Sequence, residues 1–314
     1  MSPRLRFAAG LVAVLATAAG ALALLLHVIA TPWQYVLAVT AGAHYAMWAA
    51  PVGLAVALGL RRWRTAGVAA LVTVGVVAVQ VPPNLAAAAS GPTRAVVLQA
   101  NLRVGSADPA ALVRIVRARH VDLLATEELT TGEQQRLVGA GLARTLPYRF
   151  SRPLPDGGGG LAIWSRYPVT AGRDVPGFWL GVLTARVALP GGAITFAAVH
   201  LTPPYPYPVG RWRREIARLR SVLPHEGTVL AAGDFNATVD HRQFRALLDH
   251  GYADAAEQSG AGYLPTYPND RWYGPLIGID HVLLRGPVRA ADARTLEVPG
   301  SDHRALLVRV TARA

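Results

Sequence analysis

Three long apolar segments in the first 94 residues constrain this chain more than any other feature of its sequence. They run over residues 7–30, 35–60 and 65–81, and none of them contains an aspartate, glutamate, arginine or lysine. A helix that crosses a bilayer needs roughly 20 apolar residues, and the third segment lies near the lower limit of that range. The sequence therefore predicts a region of three transmembrane helices over residues 1–82.

Arginines around these segments predict the orientation of the helices. Arg4 and Arg6 precede the first segment, and the Arg-Arg-Trp-Arg stretch at 61–64 separates the second from the third. The turn between the first two, at 31–34, has no charge and carries Trp33, an aromatic suited to the interface. Because cytoplasmic loops are rich in Arg, we expect a multi-pass protein of the cell membrane with a cytoplasmic N-terminus. Three crossings then place the rest of the chain outside the cytoplasm.

A cleaved signal peptide is the alternative to a membrane region, since Ala16-Thr17-Ala18 resembles a small-residue cleavage site. Two further apolar segments favour the membrane region. His27 and His44, inside the apolar segments, are expected to be packed or interfacial. Residues 83–94 are predicted to be a linker, which would keep the following domain, residues 95–314, close to the bilayer.

Composition excludes several kinds of chemistry. The chain contains no cysteine, so a disulfide framework, a zinc–thiolate site and a cysteine nucleophile are excluded. All 31 basic residues are arginine, which excludes lysine Schiff bases and P-loop lysines. The net charge is +12, but residues 1–94 hold six arginines and no acid, so half of the excess lies there. The remaining charge suits an anionic substrate or surface without requiring nucleic acid.

Alternating apolar runs and turns predict the architecture of residues 95–314. We expect strands at 95–100, 121–125, 161–164, 184–189, 193–200, 229–232, 281–284 and 304–310. Helices are expected at 110–119 and 211–223. Many strands with few helices predict an α+β domain in which helices cover two packed sheets.

Polar residues stand where the predicted strands end. Asp234 and Asn236 follow a buried strand two positions apart, so their side chains can share one face. Side chains at strand ends on one edge of a sheet can converge on one cleft. Together they form an oxygen-rich set that suits Mg²⁺ or Mn²⁺ better than zinc. The set is Asn101, Glu128, His200, Asp234, Asn236, Asp280, Asp302 and His303. Four other histidines, at 120, 225, 241 and 250, match no motif and are expected on the surface.

The order and spacing of these residues resemble the endonuclease/exonuclease/phosphatase superfamily. This is the Mg²⁺-dependent phosphoesterase group that includes DNase I, abasic-site endonucleases, neutral sphingomyelinases and inositol-polyphosphate phosphatases. The resemblance covers about residues 95–311 and implies a four-layered, DNase I-like α/β-sandwich. The segment 160–168, Gly-Leu-Ala-Ile-Trp-Ser-Arg-Tyr-Pro, looks like a structural segment of that superfamily.

The chain departs from the superfamily pattern at a few positions. Glu127 stands where glutamine is usual, and His281 stands where tyrosine or tryptophan is common. His281 is expected to be a packed residue or a neighbour of the site. His200 matches the catalytic histidine of the DNase and sphingomyelinase branches, whereas abasic-site endonucleases carry tyrosine near there.

The resemblance implies a role for each matching residue. Glu128 would bind the metal, with help from Asn101 and Asp302. Asp280 and His303 would form a carboxylate–imidazole pair. Asp234 would align or deprotonate the attacking water, and Asn236 would hold a phosphate oxygen. His200 would stabilise the phosphoryl oxygens or assist the leaving group. Which of these groups is the general base stays open.

The architecture of the whole chain, three spans followed by this domain, looks like a membrane-anchored branch that includes teicoplanin-resistance proteins. That likeness implies hydrolysis of undecaprenyl pyrophosphate, or a related cell-wall lipid intermediate, and a role in antibiotic resistance. The stretches 178–180, 203–214 and 272–276 combine aromatics with arginines and could form a lipid-facing surface. The alternative interpretation is that these stretches are a rigid proline-rich loop and aromatics buried in the core.

Three rival functions stay open. An anchored extracellular nuclease would track phosphates with Arg103, Arg152, Arg211, Arg213 and Arg214. A phospholipase C of the sphingomyelinase type would release a phosphorylated headgroup. A membrane-bound binding protein with a vestigial site would lack a catalytic group, and none is missing here. Nucleic acid is the less favoured partner, and the sequence names no protein partner.

Overall fold

The computed structural model describes residues 1–86 and 89–312 of the chain. Two compact units share the chain, and both are discontinuous in sequence. The first comprises Met1–Pro82 together with Val239–Arg245, and the second comprises Pro83–Thr238 together with Ala246–Ala314. A short segment from the middle of the predicted globular domain is therefore part of the first unit, which no local pattern in the sequence indicates.

Five helices form most of the first unit: α1 (Pro3–Val28), α2 (Gln34–Thr40), α3 (Ala43–Met47), α4 (Ala49–Gly59) and α5 (Trp63–Gln80). Helix α1 begins after Ser2, whose side chain accepts a hydrogen bond from the backbone N–H of Leu5. Helices α1 and α5 are long and apolar enough to cross a membrane, by length and composition. These two spanning segments agree with the sequence prediction.

The second apolar segment differs from the expected straight helix. It is broken near Gly42, whose backbone leaves the helical region at φ −110° and ψ 16°. The pieces Gln34–Thr40 and Ala43–Gly59 are bent by 64° to each other. They form a third membrane-spanning segment only if the two pieces together are taken as a single span. Three crossings therefore stay a prediction.

Small residues bring α1 and α4 into close contact. A Cβ atom added to Gly20 would lie 2.6 Å from the Cβ of Ala50, and one added to Gly53 would lie 2.5 Å from Oγ1 of Thr17. Van der Waals packing of small residues is the usual basis of helix association in a bilayer, where the hydrophobic effect between helices is weak. The glycines at these positions thus fit a membrane-embedded helix pair.

Two six-stranded sheets form the second unit, as expected for the α+β fold. The first has the order β11-β12-β1-β2-β4-β3, and the second has the order β5-β6-β7-β8-β10-β9. Buried apolar residues of both sheets, such as Val97, Ile163, Phe196 and Val282, belong to one core. The strands are β1 (Thr93–Asn101), β2 (Leu123–Glu127), β3 (Tyr148–Arg152), β4 (Leu161–Ser165), β5 (Val169–Asp174), β6 (Gly181–Val187), β7 (Ile194–His200), β8 (Val229–Asp234), β9 (Ala253–Asp254), β10 (Asp280–Arg285), β11 (Val288–Glu297) and β12 (Arg304–Ala312).

Helices of the remaining chain are short, apart from two. Helix α7 packs Leu112 and Val116 against Leu98 and Leu124, on the side of the first sheet away from the second. Helix α10 buries Trp212, Ile216 and Leu219. The full set is α6 (Pro82–Leu85), α7 (Pro109–Ala118), α8 (Thr131–Gly139), α9 (Leu142–Thr145), α10 (Val209–Val222), α11 (Arg242–Leu248) and α12 (Ala255–Gln258).

The eight inner strands were predicted from the sequence, and the four edge strands were not. Strands β11, β3, β5 and β9 occupy the outer positions of the two sheets. An edge strand pairs on one side only and commonly carries charged residues, so it lacks the continuous apolar run that marks an inner strand. Strand β5, for example, leaves five of its six residues exposed.

One expectation for a histidine is wrong. His241 was expected on the surface, but it is buried in the first unit and its Nε2 lies 3.0 Å from the carbonyl oxygen of Leu37. The neighbouring polar residues at 240–243 have the composition of an exposed loop, so composition misled the prediction. His27 and His44 are packed, in line with expectation.

Candidate active site

Strand pairing brings the predicted polar residues to one edge of each sheet. Strands β1 and β2 are parallel, with Asn101 opposite Glu127. Strands β7 and β8 are also parallel, with His200 opposite Asp234. Strand β10 runs antiparallel to β8 and begins at Asp280, which lies opposite Asp234. The carboxyl ends of the parallel strands and the beginning of β10 therefore share one side.

Asn101 joins the two sheets at this edge. Its Nδ2 donates to Oδ2 of Asp234 over 3.3 Å and to Oε1 of Glu128 over 3.2 Å. Its Oδ1 accepts from the backbone N–H of Arg103 at 2.9 Å. The backbone N–H of Val104 donates to the other oxygen of Glu128 at 2.9 Å. The amide thus holds a carboxylate of each sheet in place.

Gln99 makes a second bridge, which the sequence analysis missed. Its Nε2 donates to Oε2 of Glu127 at 2.9 Å and to Oδ1 of Asp280 at 2.7 Å. Burial, and then the charge of Asp280, raise the pKa of Glu127 well above its usual range. The raised pKa favours the protonated form of Glu127, which as a neutral group resembles the glutamine that the superfamily usually has there. A glutamine two residues before Asn101 on a buried strand was the available signal, since buried amides need partners.

His303 and Asp280 form the expected carboxylate–imidazole pair. Nδ1 of His303 lies 2.9 Å from Oδ2 of Asp280, and both side chains are buried. Burial alone would lower the pKa of His303, but the charge and hydrogen bond of Asp280 raise it to about 10. Ser301 fixes the start of this loop, because its Oγ donates to the carbonyl oxygen of Asn101 and accepts from the N–H of His303. At neutral pH His303 is a cation whose Nε2 lies 3.8 Å from Asp234.

Asp234 and His200 face each other across the same cleft. Burial, with the nearby charge of Asp280, raises the pKa of Asp234 to about 8. Nε2 of His200 lies 3.6 Å from Oδ2 of Asp234, and its Nδ1 lies 3.0 Å from the carbonyl oxygen of Gly158. A carbonyl can only accept, so Nδ1 carries the proton. Burial, and then the charge of His303, lower the pKa of His200 to about 4, so this ring is neutral at pH 7.

Two predicted site residues hold an unusual backbone conformation. Glu128 has φ 55° and Asn236 has φ 47°, in the left-handed region that non-glycine residues seldom adopt. Asn236 is fixed there because its N–H donates to Oδ1 of Asp234 and its Nδ2 donates to the carbonyl oxygen of Leu201. Such conformations cost about 1–3 kcal/mol each and cluster at functional sites.

The side chains at this edge fit a divalent cation. Ligand atoms of Asp234, Asp280 and His303 all lie within 4.8 Å of one another. The pKa of Glu128 is also raised, mainly by burial. Burial and mutual repulsion disfavour the ionised form of these carboxyls, and a nearby positive ion stabilises that form. Oxygen donors of this kind suit Mg²⁺ or Mn²⁺.

None of the three predicted ligands, Asn101, Glu128 and Asp302, belongs to that cluster. Asn101 and Glu128 contact each other beside it, whereas the Asp302 side chain is partly exposed and lies 3.9 Å from Nε of Arg103. The charge of Asp302 still contributes to raising the pKa of Glu128. Metal binding by Asn101, Glu128 and Asp302 therefore stays a prediction.

Glu215 supports the loops around the site, which the sequence analysis also missed. Its buried carboxylate accepts from the backbone N–H of Trp179 at 2.9 Å and from the N–H and Oγ1 of Thr202 at 2.8 and 2.9 Å. These residues flank Gly181 and His200, which lie opposite each other on β6 and β7. Glu215 was detectable, because it occupies the apolar side of an otherwise arginine-rich helix.

Exposed aromatic side chains surround the same edge. The ring of Trp179 packs edge-on against Tyr207 at 5.0 Å, and the guanidinium of Arg211 lies 4.6 Å from the Trp179 ring centre. Trp272 is 96% exposed and contacts Tyr273. Trp179 precedes β6 and Tyr207 follows β7, and those two strand ends lie at the catalytic edge, whereas Trp272 lies in the chain before β10. They are surface residues, whereas Trp212, in the predicted surface stretch 203–214, is a buried core aromatic.

Comparisons with solved structures agree with the fold of the second unit. The fold resembles an endonuclease/exonuclease/phosphatase from Beutenbergia cavernae, with 18% identity, a TM-score of 0.59 and coverage of 70% of this chain and 72% of that one. It also resembles D. rerio TDP2 in complex with a single-strand DNA product, with 16% identity, a TM-score of 0.56 and coverage of 69% and 99%. It resembles an AP endonuclease from Archaeoglobus fulgidus as well, with 14% identity, a TM-score of 0.54 and coverage of 68% of this chain and 98% of that one.

Identities this low show the fold alone. No curated protein sequence matches the chain. The sequence profile of one family, however, matches residues 98–303, which includes every predicted site residue. On that match and the geometry of the edge, the chain belongs to the Endonuclease/Exonuclease/phosphatase family.

Proposed function

We propose that this protein is a membrane-anchored, divalent-cation-dependent hydrolase of a lipid-linked phosphate or pyrophosphate. Undecaprenyl pyrophosphate, or a related lipid of cell-wall synthesis, is the substrate that we favour. The observation that carries the proposal is one chain that combines a phosphoesterase edge, a rim of exposed aromatics and membrane-compatible helices. Recycling of the lipid carrier would then account for a role in glycopeptide resistance.

The residues at the edge have complementary tasks in such a hydrolysis. Mg²⁺ or Mn²⁺ held by the acidic residues would polarise the phosphoryl oxygens and offset the charge that develops on them. Asp280 keeps His303 protonated and directs its Nε2 towards the cleft. His303 can therefore donate a hydrogen bond to a phosphoryl oxygen. Asp234, 3.8 Å away, can align the attacking water and take its proton once positive charge nearby lowers its pKa.

His200 and Asn236 complete the set. With its proton on Nδ1, His200 offers an acceptor at Nε2, so the predicted stabilisation of phosphoryl oxygens needs a second proton on the ring. An anionic substrate would favour that proton by raising the pKa of His200. One amide hydrogen of Asn236 holds the carbonyl oxygen of Leu201, which leaves the other as a donor for a phosphate oxygen.

The aromatic rim supports a lipid substrate in preference to a soluble one. Tryptophan and tyrosine prefer the interface between water and acyl chains. Trp179, Tyr207 and Trp272 are all exposed, and the first two lie beside the ends of β6 and β7 at the catalytic edge. Arg211, stacked on Trp179, places a cation in this rim, where the phosphate groups of a lipid would lie.

Contacts inside the first unit support an extracytoplasmic active site. The guanidinium of Arg62 lies beside Gly10, near the beginning of α1. At the other end, Arg245 donates to the carbonyl oxygen of His27. If arginines 4, 6 and 61–64 are cytoplasmic, Arg245 is extracytoplasmic. Because Arg245 follows β8 in the chain, this supports a C-terminal catalytic domain outside the cytoplasm.

Phosphate release from undecaprenyl pyrophosphate by the purified full-length protein in detergent tests the proposal. We expect release with Mg²⁺, none after EDTA, and none from His303→Ala. His225→Ala, which changes an exposed histidine, is the matched control and should keep the wild-type rate. No release from folded, Mg²⁺-loaded wild-type protein would refute the lipid pyrophosphate as substrate.

The rival functions predict other products in the same assay. An anchored nuclease would degrade DNA with a steep dependence on salt, and the likeness to TDP2 and to an AP endonuclease makes this the second candidate. A phospholipase C would release a phosphorylated headgroup and no inorganic phosphate. A vestigial binding protein would release nothing from any of these substrates, and Asp234→Ala would leave its cellular role unchanged.

A further inference from the structure

Asp240 is a buried carboxylate held by two histidines of the first unit. Its side chain is 1% exposed. Oδ1 lies 2.9 Å from Nδ1 of His27, near the end of α1, and Oδ2 lies 2.7 Å from Nδ1 of His44, in α3. The backbone N–H of His44 donates to Oδ2 as well, at 3.1 Å. These partners stand 213 and 196 residues away in the sequence.

Charge explains why this arrangement is stable. Burial alone would raise the pKa of Asp240, but the hydrogen bonds of His27 and His44 lower it to about 2. The carboxylate is therefore ionised and can only accept, so both histidines carry a proton on Nδ1. A buried carboxylate is costly unless it is hydrogen-bonded, and a histidine in an apolar segment needs a polar partner. The hydrogen bonds between Asp240 and the two histidines therefore give the carboxylate its donors and give each histidine a polar partner.

Further hydrogen bonds fix the rest of the segment Val239–Arg245 in the same unit. Three of them run to backbone carbonyl oxygens of the N-terminal region, at or beyond the end of α1. Arg245 donates to His27 and also, within the segment, to Val239 over 2.6 Å. The other donors are His241 to Leu37 at 3.0 Å and Gln243 to Thr31 at 3.1 Å. Among these anchoring residues, Asp240 contributes a buried charge.

The chain between this anchor and the catalytic strand is short. Asn236, two residues beyond the end of β8, stands four residues before Asp240. The residue between them at 237 is fixed too, because its carbonyl oxygen lies 2.9 Å from Nε2 of the buried His281. Four residues span at most roughly 14 Å, so a displacement of Asp240 has little slack to absorb it.

We propose that Asp240 is a positioning residue that fastens the chain beyond β8 to His27 and His44, so that the N-terminal helices shape the active site as well as anchor it. The carboxylate acts through Asn236 and Asp234, whose own hydrogen bonds demand a fixed left-handed turn at Asn236. This inference rests on the catalytic role proposed for that edge, but it does not depend on a lipid substrate.

Kinetics of the full-length protein test the inference. We compare Asp240→Asn with Asp122→Asn, a control whose carboxylate pairs with Arg166 at the beginning of β2, at the opposite end of that strand from Glu127. The assays use undecaprenyl pyrophosphate and, as a soluble phosphodiester, bis-p-nitrophenyl phosphate. We expect Asp240→Asn to lower kcat about tenfold to a hundredfold on either substrate, since misplacement by about 1 Å has effects of that size. KM should change much less.

A double-mutant cycle shows whether the effect passes through the histidine. If Asp240 acts through His44, the double variant Asp240→Asn/His44→Gln should be no slower than Asp240→Asn alone. Additive losses, or a wild-type kcat in Asp240→Asn, would overturn the proposal.

Hydrogen–deuterium exchange separates this inference from the proposed function. In Asp240→Asn, backbone amides at 235–245 should exchange faster than in wild type, while those of β12 should not change. If the wild type hydrolyses neither substrate, the proposed function fails, and unchanged exchange at 235–245 would still refute the role of Asp240. Faster exchange throughout the protein would indicate general destabilisation and would also overturn the proposal.

Discussion

Replacement of Glu215 by glutamine tests how the loops beside the active site are held. Oε1 of Glu215 accepts from the backbone N–H of Trp179 and from Oγ1 of Thr202, and Oε2 accepts from the N–H of Thr202. The amide group of glutamine has one oxygen and one NH₂ group. In either orientation, the NH₂ group faces a backbone N–H that has lost its acceptor. The substitution keeps the size of the side chain and removes one hydrogen bond.

The size of the effect follows from this count. A hydrogen bond to a charged group contributes about 1.5–3 kcal/mol, and a buried donor left without an acceptor costs a similar amount. We therefore expect Glu215→Gln to lower the free energy of unfolding by about 2–3 kcal/mol. For a domain of 150–250 residues, each kcal/mol shifts the melting temperature by about 2–4 °C. The expected fall in Tm is about 4–12 °C.

Thermal unfolding of the full-length protein in detergent, followed by near-UV circular dichroism, measures this fall. Thr202→Val removes only the hydroxyl hydrogen bond and should cost about 1 kcal/mol. Glu215→Ala removes all three hydrogen bonds and should cost the most. A Glu215→Gln protein that melts within 2 °C of the wild type, or that is more stable than Thr202→Val, would refute this account of the loops.

Further predictions concern the buried groups at the edge. Asp280→Asn should lower the pKa of His303 from about 10, because the largest charge and the hydrogen bond that oppose burial are lost, and an NMR titration of metal-free protein that finds this pKa unchanged would contradict this. The raised pKa of Glu127 means that it binds a proton more tightly in the folded state, so it contributes a fall in stability as pH rises above about 4.5; this fall should be shallower in Glu127→Gln, and an equally steep fall between pH 5 and 8 would contradict this. A Cβ atom at Gly233 would lie 1.9 Å from a backbone oxygen of β7, so Gly233→Ala should cost at least about 1–3 kcal/mol, whereas Gly132→Ala, which meets nothing within 4 Å, should not lower the Tm.

Much of the fold follows from local patterns in the sequence. Uncharged apolar segments longer than 16 residues have few environments other than a bilayer, so the spanning helices at the N-terminus were predictable. Inner strands carry continuous apolar runs because both of their faces are buried, and each of the eight was predicted. Edge strands such as β5 and β11 alternate weakly and are charged, so the same rule missed them.

The candidate site was predictable for a different reason. A polar residue that directly follows a buried apolar run stands at the mouth of a sheet, which singles out Asn101, His200 and Asp234 from sequence alone. Their order along the chain then matched a family. The same reasoning missed Gln99 and noted Glu127 only as a departure from the superfamily pattern. The hydrogen bond between this buried amide and this buried carboxyl depends on which strands are neighbours in the sheet.

The sequence by itself determined where the two long apolar helices, helices α7 and α10, the inner strands and the candidate site residues lie, because each of these has a short-range signature in hydrophobicity or residue type. Tertiary structure alone decided which groups share a proton or a charge. Asp240 finds His27 and His44 across about 200 residues, and Asp280 raises the pKa of His303 only because the two side chains are buried side by side. Hydrogen bonds and pKa values depend on distance and burial, and neither quantity is encoded by neighbours in the sequence.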